Sequence, residues 1–157
     1  MLTAFLGCQL LVVLFVALHD WIPLGVLSTL AAVRAVDSAS RRVAVTLLST
    51  LPYAIGFAAS AYYASTGLPM WLMWWLWISY GAGMYGMLRA WWLPYLFVPD
   101  PVRAARYQRR FAQTHAFLPM RNGIRPDTLH VLFHALYVVT LILLGVLTFS
   151  RRAFVMP

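Results

Sequence analysis

Apolar residues in this chain gather into four long runs, at residues 2–18, 43–64, 70–90 and 128–149, and the segments between them hold most of the charge. A helix rises about 1.5 Å per residue, so a run near twenty residues matches a hydrocarbon core about 30 Å thick. The pattern predicts an all-α, polytopic membrane protein with four transmembrane helices, filling a single domain over residues 1–157. A shorter apolar stretch at 26–36, broken by Ser28, Thr29 and Arg34, is too brief to cross and reads as an interfacial or re-entrant helix.

Between the third and fourth runs, Asp100 and Pro101 form a helix-start pair, an N-cap followed by proline in the first turn. The helix they open is expected to run over about 102–118. Arg103, Arg106 and Arg110 share one face of it, and Ala104, Tyr107, Phe111 and Leu118 group nearby. It reads as a basic amphipathic helix on the inner membrane surface. Arg121, Asn122 and Gly123 then predict a turn, and Asp127 or Thr128 caps the last helix.

Tryptophan supports the same frame. Trp71, Trp74, Trp75 and Trp77 begin the third run and Trp91 and Trp92 end it, as indole rings do at the two headgroup boundaries of one span. Within the second and third runs, Gly56 and Ser60, Ser79 and Gly83, and Gly86 with its alanine neighbours form small-residue faces. Such faces let helix backbones approach closely, within one chain, in a homo-oligomer or in a membrane complex.

Charge sets the orientation. All 12 basic residues are arginine and all 4 acids are aspartate. Arg34, Arg41, Arg42, Arg89, Arg103, Arg106, Arg109, Arg110, Arg121 and Arg125 fall at one membrane face, and Arg151 and Arg152 at the other. By the positive-inside rule, loops 19–42 and 91–127 are cytoplasmic and both termini lie outside, as in a bacterial inner-membrane protein. Topology thereby accounts for most of the net charge of +8, and nucleic acid is not needed as a partner. The single cysteine, Cys8, excludes paired-thiol redox chemistry and a structural cysteine–zinc cluster.

The best candidate constellation opens the fourth run. Asp127, His130 and His134 share one helix face, and a polar stripe that enters an apolar span is expected to face the interior. His19 and Asp20 end the first run at the same face, and His115 precedes the fourth. Together these six residues form a candidate set for a divalent metal; haem, with His134 and His19 as axial ligands, is a further possibility. The plainer alternative is structural: Asp127 caps, His130 sits at the interface and His134 bonds a neighbouring helix. Arg89, Arg103, Arg106, Arg110, Arg121 and Arg125 are candidates for an anionic lipid headgroup or a partner.

Two functional expectations follow. The first is a small integral membrane subunit, or an assembly or binding protein, that meets membrane lipids and packs through its small-residue faces. The second is a metal-dependent membrane enzyme acting on a lipid-soluble substrate from a cytoplasm-facing His/Asp site. No nucleophile elbow or phosphate loop occurs.

Overall fold

The computed structural model describes residues 1–154, with side chains as far as Ser150. The described residues are helical and carry no strand. Helix α1 covers Leu2–Leu18. A 3-10 turn at Gly25–Leu27 leads to α2, Leu30–Val36, and α3 spans Ala39–Tyr62. Helix α4 covers Met70–Met87 and runs through a π-helical segment, Leu88–Trp92, into the short α5, Leu93–Leu96. Then come α6, Pro101–Phe111, and α7, Thr128–Phe154. The side chains of Arg151 and Arg152 lie outside the described ones.

Two helices are long and apolar enough to cross a membrane, Ala39–Tyr62 and Thr128–Ser150. The other two expected spans do not meet that measure. Helix α1 is only 17 residues long, and α4 is interrupted by indole N–H and phenol O–H groups. Apolar side chains nevertheless cover the outer faces: Leu48 is 74% exposed, Ile78 67% and Ile142 59%.

Helix α1 packs on α3 and α7, and α4 packs on the same two helices, so the contacts close into a ring. Phe5, Val12, Leu72, Leu76, Tyr80, Tyr137 and Leu144 fill its centre. Gly83 is required there: a Cβ on it would stand 2.0 Å from the Tyr137 hydroxyl and 2.1 Å from that of Tyr53. At Gly56 a Cβ would reach Leu76 at 3.0 Å. These members of the small-residue faces thus lie against side chains of their own chain, as does Ser60, which is fully buried.

A second, smaller core holds Trp91, Tyr95, Ala104, Phe111 and Ile124. It joins the end of α4 to α6, and proline is the cause. Pro94 has no N–H to offer the Ala90 carbonyl one turn back. That carbonyl instead accepts from Arg103 Nη1 at 3.1 Å and from the Tyr107 hydroxyl at 3.2 Å, both on α6. Helix α6 is shorter than the expected 102–118. It ends at Phe111, whose carbonyl accepts from the Thr114 hydroxyl at 2.9 Å, and the chain turns so that the His115 N–H meets the Val26 carbonyl at 2.7 Å. The expected turn forms at Asn122 and Gly123, both with positive φ, and the Asn122 amide donates to the Pro94 and Tyr95 carbonyls.

Candidate functional site

One cavity of about 680 Å³ opens among α1, α3, α4 and α7. Phe15, Val16, Tyr53, Ala82, Met87 and Phe133 supply much of its wall, and Leu48, Trp75 and Ile78 stand at the exposed edge between α3 and α4. Volumes of this order suit a small ligand. Gly86 also lines it, and a Cβ there would meet nothing within 4 Å. Ser79 lines the same wall, and its carbonyl lies 3.5 Å from the Tyr53 hydroxyl. No arginine or aspartate is among the lining residues.

The floor of this cavity is made by His19, His130, His134 and Trp91. The His19 and His130 rings stand 5.7 Å apart and those of His130 and His134 6.3 Å apart, measured between centroids. Trp91 packs 4.8 Å from His130, Phe15 stacks at 4.7 Å on His19, and Phe133 stacks at 3.9 Å on Phe15. The imidazoles are therefore walled by aromatic faces.

Three of the four Nδ1 atoms have a partner, and His19 Nε2 also lies 3.4 Å from an Asp20 oxygen. Asp127, almost wholly buried, accepts the His130 backbone N–H at 3.0 Å and faces His130 Nδ1 at 2.7 Å. It is at once the helix cap and the group that orients the imidazole. His19 Nδ1 lies 2.9 Å from the Phe15 carbonyl. His115 Nδ1 lies 2.7 Å from the Thr128 hydroxyl, and the same residue accepts the Thr128 N–H, so it fastens the loop to the start of α7 instead of joining the other imidazoles. His134, only 5% exposed, differs: its Nδ1 is buried without a hydrogen-bond partner.

Among the described residues no three His, Cys, Asp or Glu groups stand together in a way that could hold a metal ion. The expected six-residue set is divided. His115 is bound to Thr128, Asp127 is bound to His130, and Asp20 turns toward Arg110. For haem, the His134 ring is already packed by Trp91, Trp92 and Phe133 at 6.1, 5.9 and 5.9 Å.

Several of the candidate headgroup arginines are held by the chain itself. Arg110 donates through Nη2 to both Asp20 oxygens, at 2.6 and 2.7 Å, and through Nη1 to Asp37 at 2.6 Å. Arg106 reaches the other Asp37 oxygen at 2.6 Å. Arg103 pairs with Asp100 at 3.1 Å, and Arg121 lies over the Tyr95 ring. Arg89 and Arg125 form no ion pair among the described residues. The link from α6 to Asp20 and Asp37 was not legible in the chain, because those partners lie 90 and 73 positions from Arg110.

Burial shapes the titration of this end. It pushes the Asp20 carboxyl up, but the His19 and Arg110 charges outweigh it and hold the group below the ordinary carboxylate range. Asp127 follows the same logic, with the hydrogen bond to His130 as its main counterweight. His19 is lowered by burial, which the nearby Asp20 offsets only in part.

No protein family, characterised protein or solved structure matches this chain.

Proposed function

We propose that this is a multi-pass protein of the bacterial inner membrane that binds a lipid-soluble guest in the cavity between its helices. In this reading all four long helices cross as a bundle, loops 19–42 and 91–127 are cytoplasmic, and both termini lie outside. Arg89 and Arg125 then sit at the inner headgroup boundary, where anionic lipids are their partners. Fusion of a cytoplasm-only reporter at the loop around His115 should give signal; a silent fusion there with an active one at the C-terminus would reverse the orientation.

The observation that carries the reading is the cavity's lateral edge. Leu48 and Ile78 are among the most exposed aliphatic side chains, and they border the opening between α3 and α4. An apolar chamber whose mouth faces acyl chains is filled from the bilayer, because an apolar molecule reaches it without crossing water and gains by packing against its walls. The small-residue faces support a binding role over a purely assembling one, since Gly56 and Gly83 already press on side chains of their own chain.

Gly86→Leu tests this directly. The substitution puts an isobutyl group into open space on the cavity wall, so it narrows the cavity beside the path to its edge without a clash at its Cβ. Organic extraction of detergent-purified protein should recover a molecule in near-stoichiometric amount from the wild type and little of it from the variant. Identical extracts from both would remove the proposal.

A further inference from the structure

Resting on that reading, we propose that the guest carries a neutral phenolic head: an aromatic ring with a hydroxyl group on an aliphatic tail, a class that includes reduced quinones. Three observations on the cavity floor point to it. The first is charge. No arginine or aspartate lines the cavity, and Arg106 and Arg110, the guanidinium groups of the adjoining helix, are bound to Asp37 and Asp20 outside it. A phosphate or sulfonate head would enter a chamber with no cation to meet it, at a large desolvation cost.

The second is the direction of hydrogen bonding. A carboxylate and a carbonyl oxygen only accept, so Asp127 and the Phe15 carbonyl each require a proton on Nδ1 of His130 and His19. In the neutral imidazole this leaves His130 Nε2 as an acceptor on a side chain that lines the cavity, while His19 Nε2 lies 3.4 Å from an Asp20 oxygen and is not counted with it. An acceptor wall calls for a guest that donates, which a hydroxyl does and a ketone, ether or ester does not. His134 Nδ1 adds a buried position with no partner in the protein, and its tautomer is free to adapt to the same hydroxyl oxygen or to a second one. A buried polar atom of this kind is costly until something meets it.

The third is shape. Trp91, Phe15 and Phe133 pack on or beside these imidazoles, and Tyr53 and Tyr137 stand above them, the two hydroxyls 2.9 Å apart. Offset and edge contacts with an incoming flat ring are available on several sides. The tail leaves along Ala82, Gly86 and Met87 toward Trp75 and Ile78, where the wall has no charged side chain and its polar groups are the Trp75 indole and the Ser49 and Ser79 hydroxyls. That indole is itself occupied, donating to the Pro52 carbonyl at 3.0 Å.

The probes are 4-decylphenol, its methyl ether 4-decylanisole, and decyl phosphate, which share a tail and differ in head. The purified full chain is released from detergent micelles for native mass spectrometry after incubation with each at equal concentration. One added hydrogen bond corresponds to roughly fivefold in affinity, so the phenol should bind about five times more tightly than the ether and also ahead of the phosphate. His130→Leu and, as a second variant should the first fail to fold with the buried Asp127 carboxylate left unpaired, His134→Phe should bring the phenol-to-ether ratio toward one. His115→Leu, outside the cavity, should leave the ratio unchanged.

Equal binding of phenol and ether in the wild type, or preference for decyl phosphate, overturns the phenolic head. If all three bind equally and Gly86→Leu abolishes them together, the head assignment fails while the cavity reading stands. If none binds, or Gly86→Leu changes nothing, the cavity reading fails and takes the head with it.

Discussion

The two polar regions of this protein lie within a few helical turns of each other and are built on opposite terms. At the α2/α6 layer, Asp20, Asp37, Arg106 and Arg110 satisfy one another with contacts of 2.6 to 2.7 Å. In the cavity, His134 holds a nitrogen with no partner, and the remaining side-chain polar groups are imidazoles, indoles and hydroxyls. The first region pairs both of its carboxylates, leaving only the Arg110 Nε of that guanidinium buried without a partner, and works as a fastener. The second has bonding capacity left over beside open space, and that combination is what distinguishes a place for a guest from a structural joint.

The strongest test of this contrast is to break the fastener. Arg110→Ala removes the arginine partner of Asp20 and one of those of Asp37, which keeps Arg106 and Arg41, and breaking a buried pair of this kind costs about 3 kcal/mol. Thermal unfolding in detergent should fall steeply, and limited proteolysis should open the loops joining α6. A variant as stable as the wild type would show that the ion pairs are decoration.

Gly83→Leu should follow in size. Its Cβ collides with the Tyr53 and Tyr137 hydroxyls, and forced overpacking costs about 1–3 kcal/mol. An unchanged unfolding midpoint would mean that α4 and α7 are not held where the two tyrosines place them.

Asp127→Asn weakens the helix cap and the orientation of His130, at about 1 kcal/mol. The pH dependence has a definite sign. The Asp127 and Asp20 carboxyls are held below the ordinary value of 3.8 in the folded chain, so their stabilisation is complete above that value. It is lost as pH falls through the lower folded values. Acid unfolding should therefore begin below about pH 4 in the wild type. The curve should be shallower in Asp127→Asn; an identical slope would assign the acid sensitivity elsewhere.

The smallest effect on stability is expected where the effect on the guest is greatest. Gly86→Leu replaces a helical glycine in open space, so its unfolding midpoint should hold or rise, by up to about 1 kcal/mol. A marked loss of stability there would mean that the cavity is closed in solution.

Much of the helical layout was readable because it depends on local rules. The starts of α1, α4 and α7 follow from apolar run lengths and from the Asp127 cap, and the Asn122–Gly123 turn follows from two residues that tolerate positive φ. The length of α6 was not readable, since its end is set by a Thr114 hydroxyl and by a contact to Val26 far away in the chain. The candidate site divided in the same way. His130 and His134 share a face by helical periodicity, yet nothing in the spacing told that His115 would turn to Thr128 or that Arg110 would take Asp20 from the proposed ligand set.

The amino-acid order by itself determined a helical chain with an apolar exterior and its arginines sorted by position, because hydropathy and capping act over one or two turns. Only the tertiary structure decided which polar groups cancel and which remain open. Pairing across 90 positions depends on how α6 is held by the carbonyl that Pro94 leaves free, and a cavity is the space that packed helices do not fill, which no single segment encodes.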